Sequence, residues 1–329
     1  LDSERDFALL RVTDFLLREI DWYRSPLRYS APMTVATTPG GGMFNPTAYV
    51  IEGFIARLEE IYFQTFGQEE PGYPGTLGVV ARAALERIAD SDALYHNLEH
   101  TIMVTLVGQQ ILRGKRIVEG NVTTSDWLHF LCALLCHDIG YVRGVCTGDR
   151  GDSVVIDEEG TLDTLPRGAS DAALTPYHIE RGKRFIRERC RNVPELDEER
   201  IAAAIELTRF PVPADGDHQE TNTEPALVRA ADLIGQLADP LYPRKSNALF
   251  CEFRETGIAS EQGYASPADL WESYPKFYWN MVRPYIGSAL HYLRVTQDGK
   301  QWIAHLHANV FAAEHGDLLI GTQPGEVPR

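Results

Sequence analysis

Tyr95-His96-Asn97-Leu98-Glu99-His100 opens, and Cys136-His137-Asp138-Ile139-Gly140-Tyr141 closes, the stretch from which the rest of the chain is read. Residues 94–113 predict a helix carrying both His96 and His100. Side chains four apart share a helical face, so the two imidazoles are expected together. Trp127 to Cys136 is apolar nearly all round, which predicts a buried central helix capped by Thr124 or Ser125 and ended by His137-Asp138. Two polar side chains at the end of a buried helix need a reason to be there. Neutral imidazole and carboxylate are donors for zinc, manganese or iron, and the carboxylate also serves magnesium. The stretch therefore predicts a metal centre that the rest of the chain completes.

Outward from it, apolar residues recur at helical period on both sides. Residues 1–24 predict a helix, and the segment up to residue 46 a linker, with Pro26, Pro32, Pro39 and Gly40-Gly41-Gly42. The glycine triplet is no phosphate loop, because no Gly-Lys-Ser/Thr follows it. Helices are predicted over 47–66, 77–89, 194–208, 225–238, 247–255, 268–293 and 301–314, and one starting at Thr175-Pro176 that carries His178. There is no internal repeat and no strand ladder. The expectation is an N-terminal helix and linker over 1–46 and an all-α globular domain over 47–329. The stretch from Tyr141 to Ala173 is rich in Gly, Asp and Arg, and its position after the His-Asp pair favours a lid.

A chain of 329 residues, 44% hydrophobic and 24% charged, can bury a large core. Its net charge of −16 disfavours long nucleic acids as partners, although a bound cation can reverse the field locally for a small phosphate ester. No apolar run approaches a membrane span and no secretory pattern is seen, so a cytoplasmic protein is expected. Five cysteines without paired spacing read as reduced thiols, with Cys132 and Cys136 packing on the buried helix. Residue 1 is Leu, which fits a piece of a longer chain with a regulatory domain upstream; the oligomeric state is left open.

Asp232 stands in Ala230-Ala231-Asp232-Leu233-Ile234, where an ionised carboxylate is costly unless it is paired or bound to a metal. Either helix histidine can bind the metal, or one binds while the other supplies a proton. Their spacing resembles that of zinc peptidases, but Asn97 stands where those need Glu. His178 is as readily a surface histidine as a site residue. His129 is assigned no role, and His218, His291, His305, His307 and His315 read as structural or solvated.

The whole order is more specific than its parts: His-Asn-X-X-His, His-Asp, a helical His, then Asp before Leu. It resembles the HD-domain metal-dependent phosphohydrolases, and within them the catalytic domain of class I cyclic-nucleotide phosphodiesterases. Tyr95-His96-Asn97, Leu134-Leu135-Cys136-His137-Asp138, Ala231-Asp232-Leu233 with Pro240 and Pro243 after it, Tyr274-Pro275-Lys276 and Ala289-Leu290 carry the resemblance over residues 77–302. It implies an HD-type helical bundle that binds two divalent metal ions. The implied metal ligands are His100, His137, Asp138 and Asp232, with Asp138 bridging to a second metal. It implies His96 as the general acid protonating the leaving oxygen, and His178 as a supporting histidine or second-metal ligand. Asn97, Tyr95, Phe277 and Tyr278 are the substrate-binding candidates. The implied reaction is hydrolysis of a small phosphate ester, foremost a 3′,5′-cyclic nucleotide, by a metal-bound hydroxide.

The chain departs from that pattern. Tyr141 stands where these phosphodiesterases usually carry another His, and Thr175 where they usually carry a Glu; both family residues support the second metal. No Gln matches the base-reading amide, although Phe277, Tyr278 and Trp279 remain for stacking. The cyclic di-GMP branch is disfavoured, because Gly72-Tyr73-Pro74 lies upstream of the His-Asp pair. Two alternatives stay open. One is hydrolysis of another nucleotide, a monophosphate or a guanosine polyphosphate. The other is a degenerate domain that senses a metal or ligand.

Overall fold

The computed structural model describes residues 44–316. The predicted helix over 1–24 and most of the linker lie outside them. Thirteen α-helices follow in order: α1 Pro46–Phe66, α2 Tyr73–Ala89, α3 Leu98–Glu119, α4 Thr124–Cys136, α5 His178–Cys190, α6 Glu198–Glu206, α7 Gly216–Gln219, α8 Glu224–Leu237, α9 Tyr242–Glu255, α10 Ile258–Gln262, α11 Pro267–Phe277, α12 Gly287–Leu293 and α13 Gln297–His315. The all-α expectation holds, with one small exception described below.

Local chemistry sets the boundaries. Asn45 caps α1 by accepting from the Ala48 amide, and Pro46 begins it. The cap of helix α4 is Thr123, one residue before the first of the two predicted. Thr123 accepts from the Asp126 amide while Asp126 accepts from the Thr123 amide, a reciprocal capping box. Helix α3 starts later than predicted, because Asn97 is its cap and accepts from the amides of Glu99 and His100. His96 therefore lies before the helix, not on one face of it with His100. The single helix expected over 268–293 is interrupted. After α11 comes a π turn over Tyr278–Val282, and Pro284, which has no amide to continue the ladder, precedes α12.

Helix α4 is the axis of the core. Leu128, Phe130, Leu131, Cys132, Leu134, Leu135 and Cys136 are all fully buried, and each leucine or phenylalanine so enclosed contributes about 1.5–3 kcal/mol. Helices α2, α3, α6 and α8 pack around it. All five cysteines are free thiols. Helices α3 and α8 cross in near-contact at Gly235, where a Cβ would sit 2.7 Å from Val104 Cα. Val104 is one turn beyond His100, and Gly235 one turn beyond Asp232, so this crossing holds those two side chains opposite each other.

The segment between α4 and α5 is not an open lid. A 3-10 turn over Ile139–Tyr141 leads to an antiparallel hairpin, β1 Ser153–Val155 with β2 Leu162–Thr164, and to a second 3-10 turn over Asp171–Leu174. Arg181 of α5, fully buried, fastens it. Its guanidinium donates to Gly140 O at 2.6 Å, to Val142 O at 2.8 Å, to Val155 O, and to both carboxylate oxygens of Asp149. Asp149 in turn accepts from the amides of Gly144 and Val155. Thr175-Pro176 does not start α5 as predicted. Thr175 ends the preceding turn, donating its hydroxyl to Ala172 O, and α5 begins at His178.

Candidate metal centre

Two helix ends and one helix middle converge behind the α3–α8 crossing. His100 comes from the first turn of α3, His137 and Asp138 from the end of α4, and Asp232 from α8. His100 Nε2 lies 3.3 Å from Asp138 Oδ2 and 3.3 Å from Asp232 Oδ1. His137 Nε2 lies 3.1 Å and 3.6 Å from the same two oxygens. Donor atoms of His100, His137 and Asp232 all lie within 4.8 Å of one another. Bonds of 2.0–2.2 Å to one cation, tetrahedral or octahedral, place neighbouring donors about 2.8–3.6 Å apart. The four imidazole–carboxylate separations fall in that interval.

Hydrogen bonding bears on whether the cluster could hold a metal. His137 Nδ1 donates to Leu134 O at 2.7 Å, which directs Nε2 at the carboxylates. Yet His137 Nε2 and Asp138 Oδ2 make no hydrogen bond although both are buried. Buried polar atoms left unpaired are costly, and a cation among them removes that cost. Burial opposes charge on both imidazoles, but Asp138 and Asp232 outweigh it and raise the basicity of His100 and, strongly, of His137. Burial likewise opposes ionisation of the two carboxyls, and the imidazoles overcome it, holding Asp138 and Asp232 well below the usual carboxylate range. The four groups call for positive charge in their midst, as protons or as a metal ion.

His96 stands at the edge, partly exposed. Its Nδ1 donates to Glu252 Oε2 at 2.6 Å, and Glu252 Oε1 accepts from the Tyr95 amide at 2.6 Å. Burial pushes the Glu252 carboxyl up, but His96 and the two backbone amides hold it below its ordinary value. The sequence reading missed Glu252. It lies in Leu249-Phe250-Cys251-Glu252-Phe253, an acid within an apolar helical run, the same signal that marked Asp232.

Tyr141 and Thr175, the two departures from the phosphodiesterase pattern, both touch His178. The Tyr141 ring stacks on His96 at 4.3 Å and on His178 at 4.5 Å, and Thr175 O accepts from His178 Nδ1 at 2.7 Å. Burial drives the basicity of the His178 imidazole down to about 4, so it is neutral. The approach of Tyr141 to α5 requires Gly140, where a Cβ would stand 1.9 Å from His178 O.

The substrate-binding candidates fare differently. Tyr95 is buried against His96, His100 and Tyr242. Asn97 is engaged as the α3 cap and also donates to Leu94 O. Phe277 packs edge-on against Phe210, and Tyr278 is only 1% exposed, with no face free for a ligand. Of the histidines given no role, His129 bridges the core: its Nδ1 donates to Ser125 O and its Nε2 accepts from the Asp197 amide. Among the described residues, no helix is long and apolar enough to cross a membrane.

The sequence model of the Npun_R2479-like family matches residues 44–316, and the chain belongs to that family. No curated protein matches it.

Proposed function

We propose that this member of the family is a metal-dependent hydrolase of a small phosphate ester. The observation that carries the reading is the largely buried set of His100, His137, Asp138 and Asp232, in which the unpaired His137 Nε2 and Asp138 Oδ2 lie at ligand spacing, beside the His96–Glu252 pair. Those four residues would hold a divalent cation. Such a cation supplies Lewis acidity toward a phosphoryl oxygen and lowers the pKa of water.

The chain's own residues supply the rest. Glu252 fixes the His96 ring through Nδ1, which leaves Nε2 to hold a proton and deliver it to a departing alkoxide. Tyr141 presses on one face of that ring and limits its rotation. The surrounding core keeps water away from the buried side of the centre.

The foremost substrate class is a 3′,5′-cyclic nucleotide, with other nucleotide phosphates next. The test is product release from cyclic AMP, cyclic GMP, nucleoside monophosphates and a guanosine polyphosphate, with manganese or magnesium, beside a chelator control and Asp138→Asn. Turnover of any of these, lost in both controls, is expected. Metal bound without turnover of any phosphate ester would favour a second reading, a sensor domain. The neutral Tyr141–Thr175 pair beside the centre is the observation that motivates it.

A further inference from the structure

We infer that, before substrate arrives, the centre takes one divalent cation per chain and not two; this rests on the metal site proposed above. Charge balance is the first ground. Asp138 and Asp232 together neutralise one dication. Other acids of this region are already engaged: Glu252 by the His96 imidazole, Asp239 and Glu99 by Lys245, and Asp171 by Arg143. A second dication beside Asp138 would have to draw one of these carboxylates away from the groups that hold it, which is a large cost in a buried setting.

The second ground is what stands around Asp138. His96 and His178 take the two faces of the Tyr141 ring, so a phenol fills the space between the two remaining imidazoles. The phenol brings no charge. An ordinary phenol is protonated at neutral pH. Thr175, whose carbonyl holds His178, is neutral as well. His178 Nδ1 is committed to a carbonyl and His96 Nδ1 to Glu252. Tyr141 thus occupies, with a neutral ring, a position from which an imidazole would offer a lone pair.

The experiment is metal content. The full chain is stripped with a chelator, dialysed to equilibrium against excess manganese without phosphate, and assayed for metal per chain. The Asp138→Ala/Asp232→Ala double variant, which lacks both carboxylates of the centre, is run in parallel to subtract ions held by the acidic surface. A difference of one equivalent is expected. Two equivalents would overturn the inference and leave the metal-dependent hydrolase standing. No difference would remove both. Tyr141→His is expected to raise the difference toward two. Should it fold, by circular dichroism, and stay at one, Tyr141 is not what excludes the second cation.

Discussion

His96 Nδ1 lies 2.6 Å from Glu252 Oε2, a contact between residues 156 positions apart. The carboxylate fixes both the tautomer and the orientation of the imidazole. In Glu252→Gln the ring loses its anionic partner while the four metal ligands stay in place. The expected result is a roughly 10–100-fold fall in kcat with unchanged metal content, the usual cost of removing such a supporting group. His96→Ala should cost more, about 10²–10⁴-fold, because the proton donor itself is gone. If either variant loses its metal, His96 belongs to the ligand set and the assignment changes.

Asp232 reaches the centre from α8 alone, so its loss removes a ligand without disturbing α3 or α4. Asp232→Ala is expected to lower metal affinity by at least tenfold and abolish phosphate-ester turnover. Metal titration followed by thermal unfolding checks this, because a bound cation raises the melting temperature of the native chain and fails to do so in the variant.

At Gly235 there is no room for a side chain, since a Cβ would meet the Val104 backbone. Gly235→Val must push α8 away from α3. The predicted destabilisation is about 1–3 kcal/mol, typical of overpacking, read from denaturant unfolding. Because the same crossing sets the 3.3 Å separation of His100 and Asp232, metal affinity should fall with it. Stability lost with metal affinity intact would disconnect the crossing from the site.

Asp126 gives the pH dependence. Burial pushes its carboxyl up, but hydrogen bonds from Thr123 and Arg200 prevail, and its folded pKa lies below the ordinary value. A depressed pKa means that the carboxylate stabilises the fold above the unfolded value near 3.8, and that this contribution disappears as pH falls through the folded value. Asp126→Ala should therefore cost about 1 kcal/mol at pH 7. The difference from the natural chain should vanish in strong acid. A difference that persists there would assign the effect to packing.

Much of the site was written in local patterns. The apolar run ending in His137-Asp138 and the acid among Ala231, Leu233 and Ile234 each announced a buried polar group in need of compensation. The start of α3 was also legible, because Asn97 before Leu98 is an N-cap signal, and heeding it would have set His96 outside the helix. What no local pattern carried was the long-range pairing. Nothing in the neighbourhood of Arg181 says that its partner is Asp149, 32 residues earlier, so the stretch from Tyr141 to Ala173 read as a lid and not as a fastened hairpin. Nor does a tyrosine after Ile139-Gly140 reveal that two imidazoles stack on it.

The buried Arg181–Asp149 pair ties the β1–β2 hairpin to the same backbone that carries Tyr141. Opening the hairpin alone would strand a guanidinium and a carboxylate in a dry interior, a cost of about 3–5 kcal/mol. Its amides, that of Val155 first among them, should then exchange with solvent only in large concerted openings, at rates approaching those of the core helices. Ligands would have to come and go past a fixed wall, so turnover would be paced by diffusion and chemistry and not by the swing of a flap.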